Sequence, residues 1–194
     1  MEKDAFKERE RSIEETYFRQ RDAKLLDRLR QEAKLEDIAT ALAEKLQVDN
    51  PELLGRVRAL GVTIDTAPAF FVAPLVQVAW AEGKVTEEER DTVLRLARAR
   101  GIEENSPAYA QLLEWLRVRP ADAVFDTAVE VIKSGFAVLP PEEKEERIKR
   151  IVQACQEVAM ASGGALAKLL GLGSVSSSEA SVLDTITSTL RSHS

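Results

Sequence analysis

One short pattern occurs twice in this chain, and it narrows the fold more than any other feature. Val78-Ala79-Trp80-Ala81-Glu82-Gly83 is matched eighty residues on by Val158-Ala159-Met160-Ala161-Ser162-Gly163. The continuation Val85-Thr86-x-x-Glu89 is matched ninety residues on by Val175-Ser176-x-x-Glu179, so the second copy carries about ten extra residues in its turn. Each copy reads as an apolar helix, a turn, and a second helix opened by a capping box. In that device the cap hydroxyl accepts from the third amide of the helix, and the glutamate there accepts from the cap amide. A pair of helices cannot bury its apolar face alone, and a second copy supplies the cover. The expectation is a pseudo-symmetric helical domain over residues 35–194.

Helix punctuation fills in the rest. Asn50-Pro51 is a cap followed by a first-turn proline, and Gly61 closes a short helix over residues 51–60. Residues 67–81 are apolar nearly all round, which predicts one helix at the buried centre. The helix opened by Thr86 ends near Arg100-Gly101, and Ser106-Pro107, Arg119-Pro120 and Pro140-Pro141 mark three more, the last running to about Met160. A glycine-rich apolar loop, 163–173, precedes the final helix, which Ser176 caps. Trp80 and Trp115 sit among apolar neighbours and are expected to anchor the core. β-Branched residues never alternate, and aromatics make up only 5%, which counts against a sheet. The predicted class is all-α, a helical bundle of about seven helices preceded by a projecting charged helix.

That leading segment, residues 1–34, stands apart. Nineteen of its 34 residues are charged, with both signs interspersed and no glycine or proline. Arg11/Glu15, Glu15/Arg19 and Arg28/Glu32 are spaced four apart, where opposite charges support a helix. Its apolar residues are few and large: Phe6, Ile13, Tyr17, Phe18, Leu25, Leu26 and Leu29. A core helix would carry a fuller stripe. The pattern reads as an exposed arm with a handful of anchors for a protein partner.

Several functions are disfavoured. The formal net charge is −6 and no compact basic patch with interleaved aromatics appears, which argues against nucleic acid. The longest apolar stretch, 67–81, is interrupted by Pro68, Pro74 and Gln77 and is too short to span a bilayer, so membrane insertion is not expected. Met1-Glu2-Lys3-Asp4 opens directly into charge, and the cytoplasm is the expected compartment. The single cysteine, Cys155, lies among Ile151, Val152 and Val158 and reads as a small core residue. Only one histidine, His193, exists to serve a nucleophile. Gly163, Gly164, Gly171 and Gly173 have the wrong spacing for a phosphate loop. The expected protein is not an enzyme and takes no cofactor.

The run Ala81-Glu82-Gly83-Lys84-Val85-Thr86-Glu87-Glu88-Glu89, on a buried helix followed by a capped one, resembles the TerB-like (tellurite resistance B) helical family over roughly residues 65–192. In that family acidic residues around this turn are linked to divalent metal binding, which here implies Glu82 and Glu89, with Glu88 beside them. The family's usual pattern has Asp where Glu82 stands, and the second copy has Ser162. A metal site needs several oxygens converging on one point. With half of that set missing, the reading is that Glu82 is solvated, Glu89 is a cap and no metal is held.

The arm resembles a different family. Ala5-Phe6-x-x-Arg9-Glu10-x-x-x-Glu14-Glu15-x-Tyr17-Phe18-Arg19, with Arg21, Leu26 and Leu29 further on, is similar without gaps to the inhibitory segment of the mitochondrial ATPase inhibitor family. In that family the helix enters a catalytic interface of the F-type ATPase and blocks rotation in the hydrolytic direction. The resemblance implies ATP synthase catalytic subunits as partner, with Phe6, Arg9, Glu10, Glu14, Glu15, Tyr17, Phe18, Arg19 and Leu26 as partner-binding residues. The family's pH response comes from histidines, and this segment has none. The alternative is a TerB-like stress-response or metal-linked scaffold whose leading helix mediates self-association.

Overall fold

The computed structural model describes residues 48–161 and 175–192, together with the single positions 24, 43, 44 and 46. The chain divides into two units, Met1–Thr40 and Ala41–Ser194, and apart from Lys24 the described residues belong to the second. Among them every regular element is a helix and there is no strand. Eight helices lie wholly within the described residues: α1 (Pro51–Ala59), α2 (Ala67–Phe70), α3 (Ala73–Ala79), α4 (Glu87–Ala99), α5 (Pro107–Arg117), α6 (Asp122–Phe136), α7 (Pro141–Ala159) and α8 (Ser177–Arg191). None is long and apolar enough to cross a membrane.

The apolar stretch 67–81 departs from expectation, because it forms two short helices rather than one. Pro74 has no N–H to donate to the Phe70 carbonyl, and its ring would collide with that carbonyl in a continuous helix. The chain breaks at Phe71-Val72 instead, where Val72 N–H donates to Ala69 O (3.1 Å) and Leu75 N–H to Val72 O (3.0 Å), the tighter three-residue spacing. The expected burial is observed. Ala73, Pro74, Leu75, Val76, Val78 and Ala79 of α3 are all buried. Around this rod pack α4, α5, α6, α7 and α8, while α2 packs on α5 and α1 on α6.

Local chemistry sets the helix starts. Asn50 Oδ1 accepts from the amides of Glu52 (2.9 Å) and Leu53 (3.2 Å), and Ser106 Oγ accepts from Tyr109 (3.1 Å). The turn between α3 and α4 needs a left-handed residue, supplied by Gly83 at φ 80°. Trp80, half-buried, donates its Nε1–H to the Trp115 carbonyl at 2.8 Å, and the Trp115 ring tilts against Phe70 with centroids 6.0 Å apart. Both tryptophans therefore tie the end of α3 and the α2 helix to α5. Exposed ion pairs join α1 to α6 (Arg56–Glu130), α4 to α7 (Arg95–Glu157) and α7 to α8 (Glu145–Arg191). Pairs so open to water contribute little, typically below about 1 kcal/mol.

The packing between the two repeated units is reciprocal. Helices α3 and α4 form the first unit, and α7 and α8 form the second. The first helix of each packs against the second helix of the other, α3 on α8 and α7 on α4, while α3 and α7 also pack together. The two leading helices end alike. Trp80 N–H donates to Val76 O and Ala81 N–H to Val78 O; Met160 N–H donates to Gln156 O and Ala161 N–H to Val158 O.

Candidate functional site

The second helices of the two units begin with the same hydrogen bonds. Glu89 Oε2 accepts from Thr86 N–H at 2.7 Å, and Glu89 N–H donates to Thr86 Oγ1 at 3.2 Å. Glu179 Oε2 accepts from Ser176 N–H at 2.7 Å, and Glu179 N–H donates to Ser176 Oγ at 3.2 Å. Both glutamates are 1% exposed, and together with Thr127 they are the buried polar side chains of the described core. The Thr86 hydroxyl adds a third bond to Glu89 at 2.9 Å.

Burial raises the Glu89 carboxyl above the ordinary carboxylate range. The bonds from Thr86 pull it down, and the negative charges of Glu179 and Glu82 push it up again. Glu82 and Glu88 are exposed. Among the described residues no three carboxylate, imidazole or thiol side chains converge where a metal ion could be held. Of the acidic residues singled out in sequence, the fold thus brings Glu89 towards Glu179 in the interior and leaves Glu82 and Glu88 at the surface. That Glu179 belongs with Glu89 was readable only as a second cap.

A groove of about 580 Å³ opens elsewhere on the bundle. Its apolar walls include Leu46 and Ile132, which are buried, Phe136 and Ile151, which are half-buried, and Phe71, which is 37% exposed. Gly135 of α6 completes this surface. Among the described residues a methyl group there would meet only the Leu46 carbonyl, at 3.9 Å, and the glycine does not have positive φ. The backbone therefore does not demand glycine, yet its missing side chain keeps the groove open. The charged lining is Arg100, Arg147 and Arg150, and no acidic side chain among the described residues lines the groove. Arg147 pairs with Glu143 and Arg150 with Glu146, each one turn back on α7 and each open to solvent. Arg100 donates to the Leu96 carbonyl at 3.1 Å.

Sequence reasoning missed this groove. Ile151 was read only as an apolar neighbour of Cys155, and nothing local says that Phe71, Ala99 and Phe136 lie beside it and the two arginines of its helix. The only available signal was Gly135 in an otherwise unbroken helical run.

Cys155 is fully buried, and desolvation pushes its thiol up to about 12, with the Arg100 charge pulling the other way. A thiol so placed is protonated and inaccessible at neutral pH. The partner-binding residues read from sequence (Phe6, Arg9, Glu10, Glu14, Glu15, Tyr17, Phe18, Arg19 and Leu26) lie outside the described residues, as do the 163–173 loop and His193. No protein-family model matches the chain, and no curated protein or solved structure does either.

Proposed function

We propose that this chain is a non-catalytic regulatory protein whose N-terminal helix binds and restrains an F-type ATPase, carried on a TerB-like bundle. The observation that carries the reading is the ungapped run from Phe6 through Arg9-Glu10 and Glu14-Glu15 to Tyr17-Phe18. A generic charged helix does not require two adjacent aromatics at that place. Few large anchors on a strongly charged helix suit a segment that orders on a partner's groove. Tyr17 and Phe18 supply the apolar contact, and Arg9, Glu10 and Glu14 the ion pairs. The test compares the full chain with one lacking residues 1–34 as inhibitors of ATP hydrolysis by the F-type ATPase of the source organism. Inhibition by the full chain alone supports the reading, and equal effects refute it.

A second reading has its own observation. The reciprocal packing of α3–α4 with α7–α8, around two equivalent capping boxes, is what a duplicated TerB-like unit would produce. On that reading the bundle is the functional part, a stress-response or metal-linked scaffold, and the leading helix serves self-association.

A further inference from the structure

The chain is acidic overall, with a formal charge of −6, yet the groove between α4, α6 and α7 carries three arginines among its described lining and no acid. Ligand sites for small molecules are mostly apolar clefts of about 300–1,000 Å³ with a few placed polar groups. This groove has that size and that composition. A helix of a partner protein would need to be received over several turns. The volume is that of one small ligand.

We propose that the groove binds a long-chain carboxylate. The alkyl chain lies against Phe71, Ile132, Phe136 and Ile151, in the space that Gly135 leaves open. The carboxylate is taken by the guanidiniums of Arg100, Arg147 and Arg150, whose planar forks match its two oxygens. The pairs Arg147–Glu143 and Arg150–Glu146 are solvent-exposed pairs within one helix. Such pairs are weak, so a carboxylate whose alkyl chain is already held by apolar contact competes with them. This binding is independent of the arm and of its partner, and it stands whether or not the ATPase reading holds.

The experiment is calorimetric titration of the full chain with octanoate, decanoate and dodecanoate, each below its micelle concentration, with dodecylammonium and dodecanol as charge controls. One dodecanoate should bind per chain, and each added methylene should raise the affinity roughly three- to fourfold. Dodecylammonium should bind at least about tenfold more weakly. Arg147→Gln combined with Arg150→Gln should weaken dodecanoate by about tenfold or more and leave dodecanol unchanged. Gly135→Leu places an isobutyl group in the groove and should abolish binding. If that variant does not fold, the paired arginine substitutions, made at exposed positions, decide alone. Equal binding of dodecanoate and dodecylammonium would mean unselective apolar adsorption and overturn the proposal. So would unchanged binding in a folded Gly135→Leu chain, or no binding at millimolar ligand. Sedimentation without ligand covers the remaining occupant: a dimer that Gly135→Leu dissociates would assign the groove to a second copy of the chain and overturn the proposal.

Discussion

Glu89 and Glu179, ninety residues apart in sequence, hold equivalent positions in two capping boxes and are buried equally, and after burial itself the charge of Glu179 helps to raise the Glu89 carboxyl. Each accepts its cap amide at 2.7 Å. A capping glutamate ordinarily sits at the surface, where its charge costs nothing. Here the reciprocal packing of α3–α4 with α7–α8 accompanies the burial of both capping glutamates.

Replacing Glu89 separates the hydrogen bonds from the charge. Glu89→Gln keeps an acceptor for Thr86 N–H and removes the charge, so at pH 7 it should be neutral or stabilising by up to about 1 kcal/mol. Glu89→Ala removes both bonds to the cap and should cost about 1–2 kcal/mol. Urea unfolding of the three proteins at one pH checks the order.

The same residue sets a pH dependence. Because the folded-state carboxyl of Glu89 is raised, the native protein holds that proton more tightly than the unfolded chain. Its contribution is full below the ordinary value of 4.5 and is lost as pH rises through the raised value. Glu145 works the other way. Its hydrogen bond from Arg191 lowers its carboxyl, so its contribution is present at neutral pH and is lost as pH falls. Unfolding wild type and Glu89→Gln between pH 7 and about pH 5 should show wild type gaining on the variant as acid is added. A flat difference, or one of opposite sign, would remove the buried charge from the account.

What could be read in the sequence was what is local. Both capping boxes, the Asn50 cap, the helix start marked by Ser106-Pro107 and the all-helical class follow from near neighbours in the chain, and the described residues show each of them. Pro74 was visible too, but the apolar run around it outweighed it, and one helix was expected where two exist. The burial of Glu89 beside Glu179 was not legible, because a capping box has the same sequence on the surface and in the core. The arginine-lined groove was hidden for a related reason. Leu46, Phe71, Arg100, Ile132 and Arg147 meet only through the packing of helices distant in sequence.

Gln77 offers a test of the central helix. It lies on α3 among buried neighbours, and its Oε1 is buried with no hydrogen-bond partner among the described residues. A buried carbonyl left unpaired costs roughly 1–3 kcal/mol. Gln77→Leu keeps the approximate shape and removes that group, so it should raise the melting temperature. A loss of more than about 1 kcal/mol would show that Gln77 makes a bond the fold depends on.

Cys155 should behave as a core residue in solution. With its thiol pushed up to about 12 and no exposed surface, it should not react with a disulfide reagent in the native protein at pH 8. One thiol per chain should react once urea unfolds the bundle. Rapid stoichiometric labelling without denaturant would place Cys155 in a reactive setting and reopen a catalytic role.

The arm carries the prediction with the largest consequence. A peptide of residues 5–30 should reduce ATP hydrolysis by the F-type ATPase of the source organism. Tyr17→Ala and Phe18→Ala should each weaken it more than any single change of an outer charge. Aromatic anchors that lose their water on binding often cost about 2 kcal/mol when truncated, roughly thirtyfold in affinity. A rim charge such as Lys7 should cost much less and act mainly on the association rate. Inhibition should vary little between pH 6 and pH 8, because residues 5–30 contain no histidine to titrate there. A peptide that leaves hydrolysis untouched, while deletion of residues 1–34 turns a dimer into a monomer, would make the arm a self-association element. The bundle, with its paired buried glutamates, would then be where function has to be sought.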